Sequence, residues 1–247
     1  MIYVISDIHG CYDEFLELLQ KIQLTEEDEL FLLGDLLDRG PEPIKLIQDI
    51  MLRTNVYTIM GNHEYMAYRV LKKMNVEITA QNAESHLTEE DITSYLHWTQ
   101  DGGAVTAKQF SRLTDWEKED ILEYLSDSSF YEELYVNEKR YILVHGGLSN
   151  FSKERALHEY DFAELLFQSP DYSRTYFEEK NVFLVTGHTP TLGIPGHEKP
   201  EIFQGNGHIA IDCGCVFGGR LAAICLDTGE MYYVDSHQKE AEMALSH

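Results

Sequence analysis

Six side chains in this 247-residue chain have the type and placement to hold metal ions: Asp7, His9, Asp35, Asn62, His145 and His188. Each follows a short apolar run. Ile2-Tyr3-Val4-Ile5 leads into Asp7-Ile8-His9-Gly10, and Leu30-Phe31-Leu32-Leu33 into Gly34-Asp35-Leu36-Leu37-Asp38-Arg39-Gly40. Val56-Tyr57-Thr58-Ile59-Met60 leads into Gly61-Asn62-His63-Glu64. Further on, Tyr141-Ile142-Leu143-Val144 runs into His145-Gly146-Gly147, and Val182-Phe183-Leu184-Val185 into Gly187-His188-Thr189. Runs of this length and purity read as buried strands, and open α/β sheets place their sites at strand ends. One such loop alone is a solvated turn with an Asp–Arg pair. Repetition of the pattern five times excludes that reading.

Two carboxylates, one amide and three imidazoles are too many donors for a single tetrahedral zinc site. They suit two divalent cations sharing a carboxylate. Mixed nitrogen and oxygen donors without thiolate suit manganese, iron or zinc alike, and manganese is the ion expected here. Two such ions carry about +4 against roughly −2 from the aspartates, which leaves positive charge for a phosphoryl group and a hydroxide. Ions about 3.5–4 Å apart stabilise the entering and leaving oxygens of an in-line displacement and acidify the water between them. Asp7 and His9 are two apart, so extended backbone puts them on one side. Arg39 offers a two-pronged fork for phosphate oxygens. Asp38, beside it, could instead spend its charge on an ion pair with Arg39.

In order and number these blocks resemble the calcineurin-like metallophosphoesterases, and more narrowly the Ser/Thr protein phosphatase branch with its small bacterial members. The blocks span residues 7–189. Each is weak alone, and together they are specific. The resemblance implies a four-layer α/β/β/α sandwich with two facing mixed sheets. It implies that Asp35 bridges two ions, with Asp7 and His9 on the first and Asn62, His145 and His188 on the second. It matches Arg39 to the family's phosphate arginine and His63 to the general acid, with Asp38 fixing the imidazole tautomer and raising its pKa.

The activity implied is hydrolysis of phosphate monoesters in a phosphorylated protein or small phosphoester. The alternative is a symmetrical dinucleoside tetraphosphatase. A silent phosphate-binding module is disfavoured, because all six ligands and the acid are present. Tetraphosphatases usually carry alanine at the place of Asp38 and a Gly-Asn-His-Asp block, so Asp38 and Glu64 favour the phosphatase. Val216-Phe217-Gly218-Gly219-Arg220 is shared by both groups. The sequence also departs from the family. Many members have a second phosphate arginine after a Leu-Leu-aromatic motif, whereas Leu165-Leu166-Phe167-Gln168 is followed here by Ser169. Arg174 is the candidate substitute.

A formal net charge of −24, from 43 acidic against 19 basic residues, repels nucleic-acid phosphates and anionic membranes. Neither is an expected partner. No apolar run approaches the ~20 residues that span a bilayer, and no basic leader precedes the first strand. A cytoplasmic protein is expected. Cys11, Cys213, Cys215 and Cys225 form no disulfide framework, and the spacing of Cys213 and Cys215 predicts small core residues on one strand face. The other seven histidines lack the strand-end context.

Stepping along the chain, apolar periodicity predicts strand–helix–strand–helix–strand over the first 60 residues. About 65–130 is expected to be a helical insertion that shapes access to the site, with helix starts at Thr88-x-x-Asp91 and Thr114-x-x-Glu117. Residues 131–144 predict a hairpin turning at 137–140, and 154–180 a mostly helical stretch. Short strands at 208–213, 220–226 and 231–235 complete a second sheet, and a polar tail over 236–247 is expected to fray. All of it belongs to one domain.

Overall fold

The computed structural model describes residues 1–76 and 87–238. The first-half strands are β1 (Ile2–Ile5), β2 (Glu29–Leu32) and β3 (Val56–Thr58). Next come β4 (Tyr131–Val136), β5 (Lys139–Val144) and β6 (Val182–Thr186). The last four are β7 (Phe203–Gly205), β8 (His208–Ala210), β9 (Arg220–Cys225) and β10 (Met231–Asp235). They form two five-stranded mixed sheets, ordered β10-β9-β1-β2-β3 and β4-β5-β6-β8-β7. The strands expected at 220–226 and 231–235 to complete the second sheet instead extend the first, β9 pairing antiparallel with β1 and β10 with β9.

Period-two alternation explains the layering. Val4 enters a cluster with Phe31, Leu33, Leu143, Val185 and Ile224 between the sheets. Its neighbours Tyr3 and Ile5 point the other way, joining Phe15, Leu18, Leu30 and Leu32 under the helices. A strand covered on both faces needs this apolar continuity. Helix α1 (Tyr12–Ile22) buries Phe15, Leu18, Leu19 and Ile22 as one stripe, with Asp13 and Glu14 in its first turn and Lys21 in its last. Helix α2 (Pro43–Met51) starts on a proline whose missing N–H costs nothing there.

The parallel pairings place the site. β1, β2 and β3 run parallel, as do β5, β6 and β8. Parallel neighbours deliver their carboxyl ends to a common edge, so the loops bearing Asp7, Asp35, Asn62, His145 and His188 gather there. A hydrogen bond from the His145 ring to the carbonyl of Leu33 crosses from one sheet to the other.

Residues 62–127 supply α3 (Asn62–Met74), α4 (Glu89–Trp98), α5 (Ala104–Phe110) and α6 (Asp115–Asp127). Trp98, Phe110, Ile121 and Leu125 join the same core as α1 and α2, so these helices are built into the outer layer of the first sheet. Thr88 and Thr114 cap α4 and α6 through reciprocal bonds with Asp91 and Glu117.

Several local expectations need correction. The stretch 154–180 holds only one short turn and a five-residue helix, α7 (Phe162–Leu166), because its aromatic residues pack as an irregular cover on β5 and β6. The hairpin turns on Asn137 and Glu138 alone, both at positive φ, the two-residue form that suits strand twist. Cys213 and Cys215 do not share a face: Gly214 adopts φ 70°, sending Cys213 between the sheets and Cys215 under the helices. Of the polar tail, residues 239–247 lie outside the described residues. Its first part is pinned, with the Ser236 amide on Gly219 and the His237 amide on Glu14.

Leu143 is fully buried between the sheets. Leu143→Ala is expected to cost about 2–5 kcal/mol, read as a lower urea midpoint with an unchanged slope. A loss under ~1 kcal/mol would show that the sheets do not close on this side chain.

Candidate metal centre

The strand-end loops are held in unusual backbone. Asp7, His9, Asp35, Asp38, Arg39 and His188 all have positive φ, from 45° to 70°, and are six of the eleven such non-glycine residues among those described. Each costs on the order of 1 kcal/mol or more. The conformations turn the side chains off the strand direction into one space. Gly34 and Gly61 permit the closest approach of two loops: a Cβ on Gly34 would lie 2.4 Å from the Gly61 nitrogen.

Glu64 fixes the central loop. Its buried carboxylate accepts the backbone N–H groups of Asp35 (2.6 Å), Leu36 (2.8 Å), Leu37 (2.9 Å) and Gly61 (3.1 Å). Burial, with the adjoining Asp35 charge, pushes its pKa up to about 7, and the Leu37 amide pulls the other way.

Asp35 occupies the middle of the group. One carboxylate oxygen lies 3.5 Å from His9 Nε2, the other 3.3 Å from His145 Nε2. The Nδ1 atoms of both imidazoles face carbonyls, of Leu37 for His9 (2.8 Å) and of Leu33 for His145 (2.6 Å). Donation there leaves each Nε2 lone pair aimed inward. Asn62 Oδ1 lies 2.8 Å from His145 Nε2 and 2.9 Å from His188 Nδ1. Asp7 joins from the side, accepting the His188 amide (3.0 and 3.1 Å) and the Ser6 hydroxyl.

This donor set fits cations. With His145 Nδ1–H on Leu33, its Nε2 faces two other acceptors, Asn62 Oδ1 and Asp35 Oδ1, and only a proton or a cation can reconcile three acceptors at such distances. Against the cost of burial, the Asp35 charge draws the pKa of His145 up to about 10. Burial lowers His188 to about 4, helped by His145. Asp7 is pushed well above the usual carboxylate range by burial and by Asp212. Asp35 goes well below it, because His145, His63 and His9 outweigh its burial. His9 falls well below the usual imidazole range through burial and the Arg39 charge. Arg39 Nη1 donates to His9 Nε2 at 2.7 Å, so an ion on His9 requires that guanidinium to move aside.

Beside the ligands, His63 is fully buried, with Nδ1 bonded to Asp38 Oδ2 at 2.8 Å. The Asp38 side chain thus meets His63 and not Arg39. Trp98 Nε1 donates to the same oxygen (2.7 Å), and the Thr106 hydroxyl to the other (2.6 Å). His63 Nε2 has no hydrogen-bond partner and lies 3.7 Å from Asp101 Oδ2. Burial opposes its charge, but the charge of Asp35 and the bond to Asp38 raise its pKa. Arg39 Nη2 binds Asp101 Oδ1 at 3.0 Å, and the Arg39 amide donates to the Gly102 carbonyl. The guanidinium also lies over the Phe217 ring at 5.4 Å.

Sequence reasoning missed Trp98, Asp101, Thr106 and Asp212, and gave Glu64 no role. Asp212 carried a readable signal: Ile209-Ala210-Ile211-Asp212 is a sixth apolar run ending in an acid, close to Gly214. It is buried, and burial raises its pKa to about 6. The Gly102-Gly103 pair inside a helical stretch was the available hint for segment 98–106. Arg174 is not brought to this group. Its guanidinium stacks over Phe151 and Tyr176, in the cover of the second sheet. Ser169, at the place of the absent arginine, bonds through its hydroxyl to that of Thr189 (2.6 Å), next to His188.

Two facing mixed sheets, with carboxylates and imidazoles gathered at one edge around a shared aspartate, define a metal-dependent phosphoesterase. The chain belongs to the calcineurin-like phosphoesterase family, which it matches over residues 1–223. It is 28% identical to an asymmetrical bis(5'-nucleosyl)-tetraphosphatase from Geobacillus sp. (strain WCH70), covering 89% of this chain and 88% of that protein. To a symmetrical bis(5'-nucleosyl)-tetraphosphatase from Neisseria gonorrhoeae (strain NCCP11945) it is 26% identical, covering 95% of both. The fold resembles that of a Sphaerobacter thermophilus metallophosphoesterase, with a TM-score of 0.54 at 16% identity and coverage of 96% and 88%. The family expectation stands. The narrower protein-phosphatase branch does not follow from the two sequence relatives, both named as tetraphosphatases.

Glu64→Gln offers one acceptor oxygen where the carboxylate offers two, and turns an N–H₂ group toward backbone donors. Affinity for added Mn²⁺ is expected to fall about 10–100-fold, the usual effect of losing an outer support, with melting temperature lowered in parallel. Unchanged metal affinity would remove Glu64 as organiser of the loop.

Proposed function

We propose that this protein hydrolyses phosphoanhydride bonds in small nucleotides of the dinucleoside tetraphosphate class. The single observation that carries the reading is full-length likeness to both the symmetrical and the asymmetrical tetraphosphatases, joined to a centre suited to two divalent cations. Asp7, His9 and Asp35 would hold one ion and Asp35, Asn62, His145 and His188 the other, with manganese the expected ion and iron or zinc served by the same mixed donors. When bound, the pair supplies Lewis-acid polarisation of the phosphoryl group and acidification of the attacking water.

The chain's own residues do the rest. Arg39, released from His9 and Asp101, presents its fork to two phosphate oxygens. His63 carries its transferable proton on Nε2, the ring nitrogen left without a hydrogen-bond partner, and donates it to the departing oxygen. Asp38 accepts the Nδ1 proton and so fixes which nitrogen is the donor. Trp98 and Thr106 hold Asp38 still. Arg174 enters this scheme only if its segment moves toward the cleft, since Phe151 and Tyr176 hold its guanidinium.

A second reading is favoured by one specific observation. The His63–Asp38 pair is buried and braced by further donors, a well-made general acid. Nucleotide leaving groups have low pKa values and need little help, whereas a serine alkoxide needs that proton. The reading is a phosphomonoesterase, acting on a phosphorylated protein or a small ester.

Turnover of dinucleoside tetraphosphate, phosphoserine peptide and nitrophenyl phosphate, each with Mn²⁺, Fe²⁺ and Zn²⁺, separates the two. The tetraphosphate is expected to give the highest kcat/KM; a faster phosphoserine peptide would install the second reading. His63→Asn is expected to lose about 10²–10⁴-fold on the alkoxide leaving group and much less on nitrophenolate or nucleotide. Equal losses throughout would make His63 a phosphate-positioning residue.

A further inference from the structure

Three aromatic rings stand outside the ligand group and outside the hydrophobic core. Tyr65 and Phe162 stack at 4.5 Å with an interplanar angle of 25°, and Phe167 meets Tyr65 edge-on at 6.2 Å. None of the three belongs to a core cluster. Phe162 opens α7 and is 41% exposed, so a large apolar side chain stacked on Tyr65 still meets solvent. Arg69 extends over Tyr65 at 5.8 Å from its centroid, and among the described residues its carboxylate contact, to Glu90, is a long 3.9 Å.

The shelf adjoins the metal centre on two sides. Tyr65 is three residues beyond Asn62 in α3, which puts it on the neighbouring helical position about 4.5 Å further along the axis. α7 is tied to the His145 loop, because the Gly146 amide donates to the Leu165 carbonyl at 2.8 Å. Just past Phe167, Ser169 touches Thr189 beside His188. The position where many family members place a second phosphate arginine is therefore filled by a small hydroxyl.

We propose that this shelf binds a nucleobase of the substrate, stacked on Phe162, while Arg39 and the metal centre engage the phosphates. The inference rests on the nucleotide reading given above. Every base presents a flat π face, so stacking on an exposed aromatic ring is tolerant of base identity, and Arg69 adds a cation beside it in a chain with net charge −24. A shelf of this kind recognises the nucleoside end of a polyphosphate without touching the scissile bond.

The test compares wild type, Phe162→Ala and Phe162→Trp at fixed free Mn²⁺. On dinucleoside tetraphosphate, Phe162→Ala is expected to raise KM about tenfold more than it does on nitrophenyl phosphate, as loss of one stacked base does; Phe162→Trp restores the wild-type ratio. Inhibition of nitrophenyl phosphate turnover by ADP and by inorganic pyrophosphate reads the shelf without requiring tetraphosphate cleavage. ADP is expected to bind about tenfold better than pyrophosphate, and that advantage should vanish in Phe162→Ala. Absence of tetraphosphate turnover in the wild type would defeat the nucleotide reading, while the ADP comparison still decides the shelf. An ADP-to-pyrophosphate ratio unchanged by Phe162→Ala, or equal losses on both substrates, would reduce the rings to a packing contact between α3 and α7.

Discussion

Glu64 receives four backbone N–H groups in a fully buried setting, and the geometry of the site follows from that one carboxylate. A buried charge is costly unless its lone pairs are met, and here the donors come from the very loop that must be bent. Asp35 sits at φ 52° because its own amide and the next two are drawn onto Glu64. The fourth donor, from Gly61, ties the β3 end to the β2 end. Asp35 is thereby aimed between His9 and His145, and Asp38 and Arg39 emerge from the same bend toward His63 and the cleft.

The second constraint is topological. Three parallel strands in each sheet bring their carboxyl ends to one edge, and the two sheets face each other across an apolar layer. Residues 181 apart in sequence, Asp7 and His188, meet through a backbone amide. The helical layer is part of the same device. Segment 98–106 grips Asp38 from both oxygens through Trp98 and Thr106 and holds Arg39 through Asp101 and Gly102. A stretch that reads in sequence as a cover is thus wired into the loop of Asp38 and Arg39.

Much of this was legible before the structure, and the reason is local. Asp7, Asp35, Asn62, His145 and His188 each end an apolar run, so period and punctuation mark them without knowledge of contacts. Asp212 has the same signature and went unread because the run was assigned to the strand itself. For Trp98, Asp101 and Thr106 the Gly102-Gly103 break marked the segment but not the contacts, since nothing local distinguishes a tryptophan that donates to a distant aspartate from one that fills a core. Glu64 was given no role, because three of its four partners lie 27 to 29 residues upstream. The irregular cover at 154–180 was misread for the converse reason. Its aromatic residues have helical-looking spacing, yet they are placed by the sheet beneath them. Arg174 was proposed by proximity in sequence to a motif, and proximity in sequence does not carry across such a cover.

The central claim is that these strand-end groups form one centre for two ions, with Asp35 between them. Anomalous diffraction at the manganese edge, on crystals of the unaltered protein grown with Mn²⁺, tests it most directly. The account predicts two peaks about 3.5–4 Å apart, one flanked by His9 and the other by Asn62, His145 and His188, with an Asp35 oxygen in reach of both. A single peak, or two peaks that do not share Asp35, would contradict it.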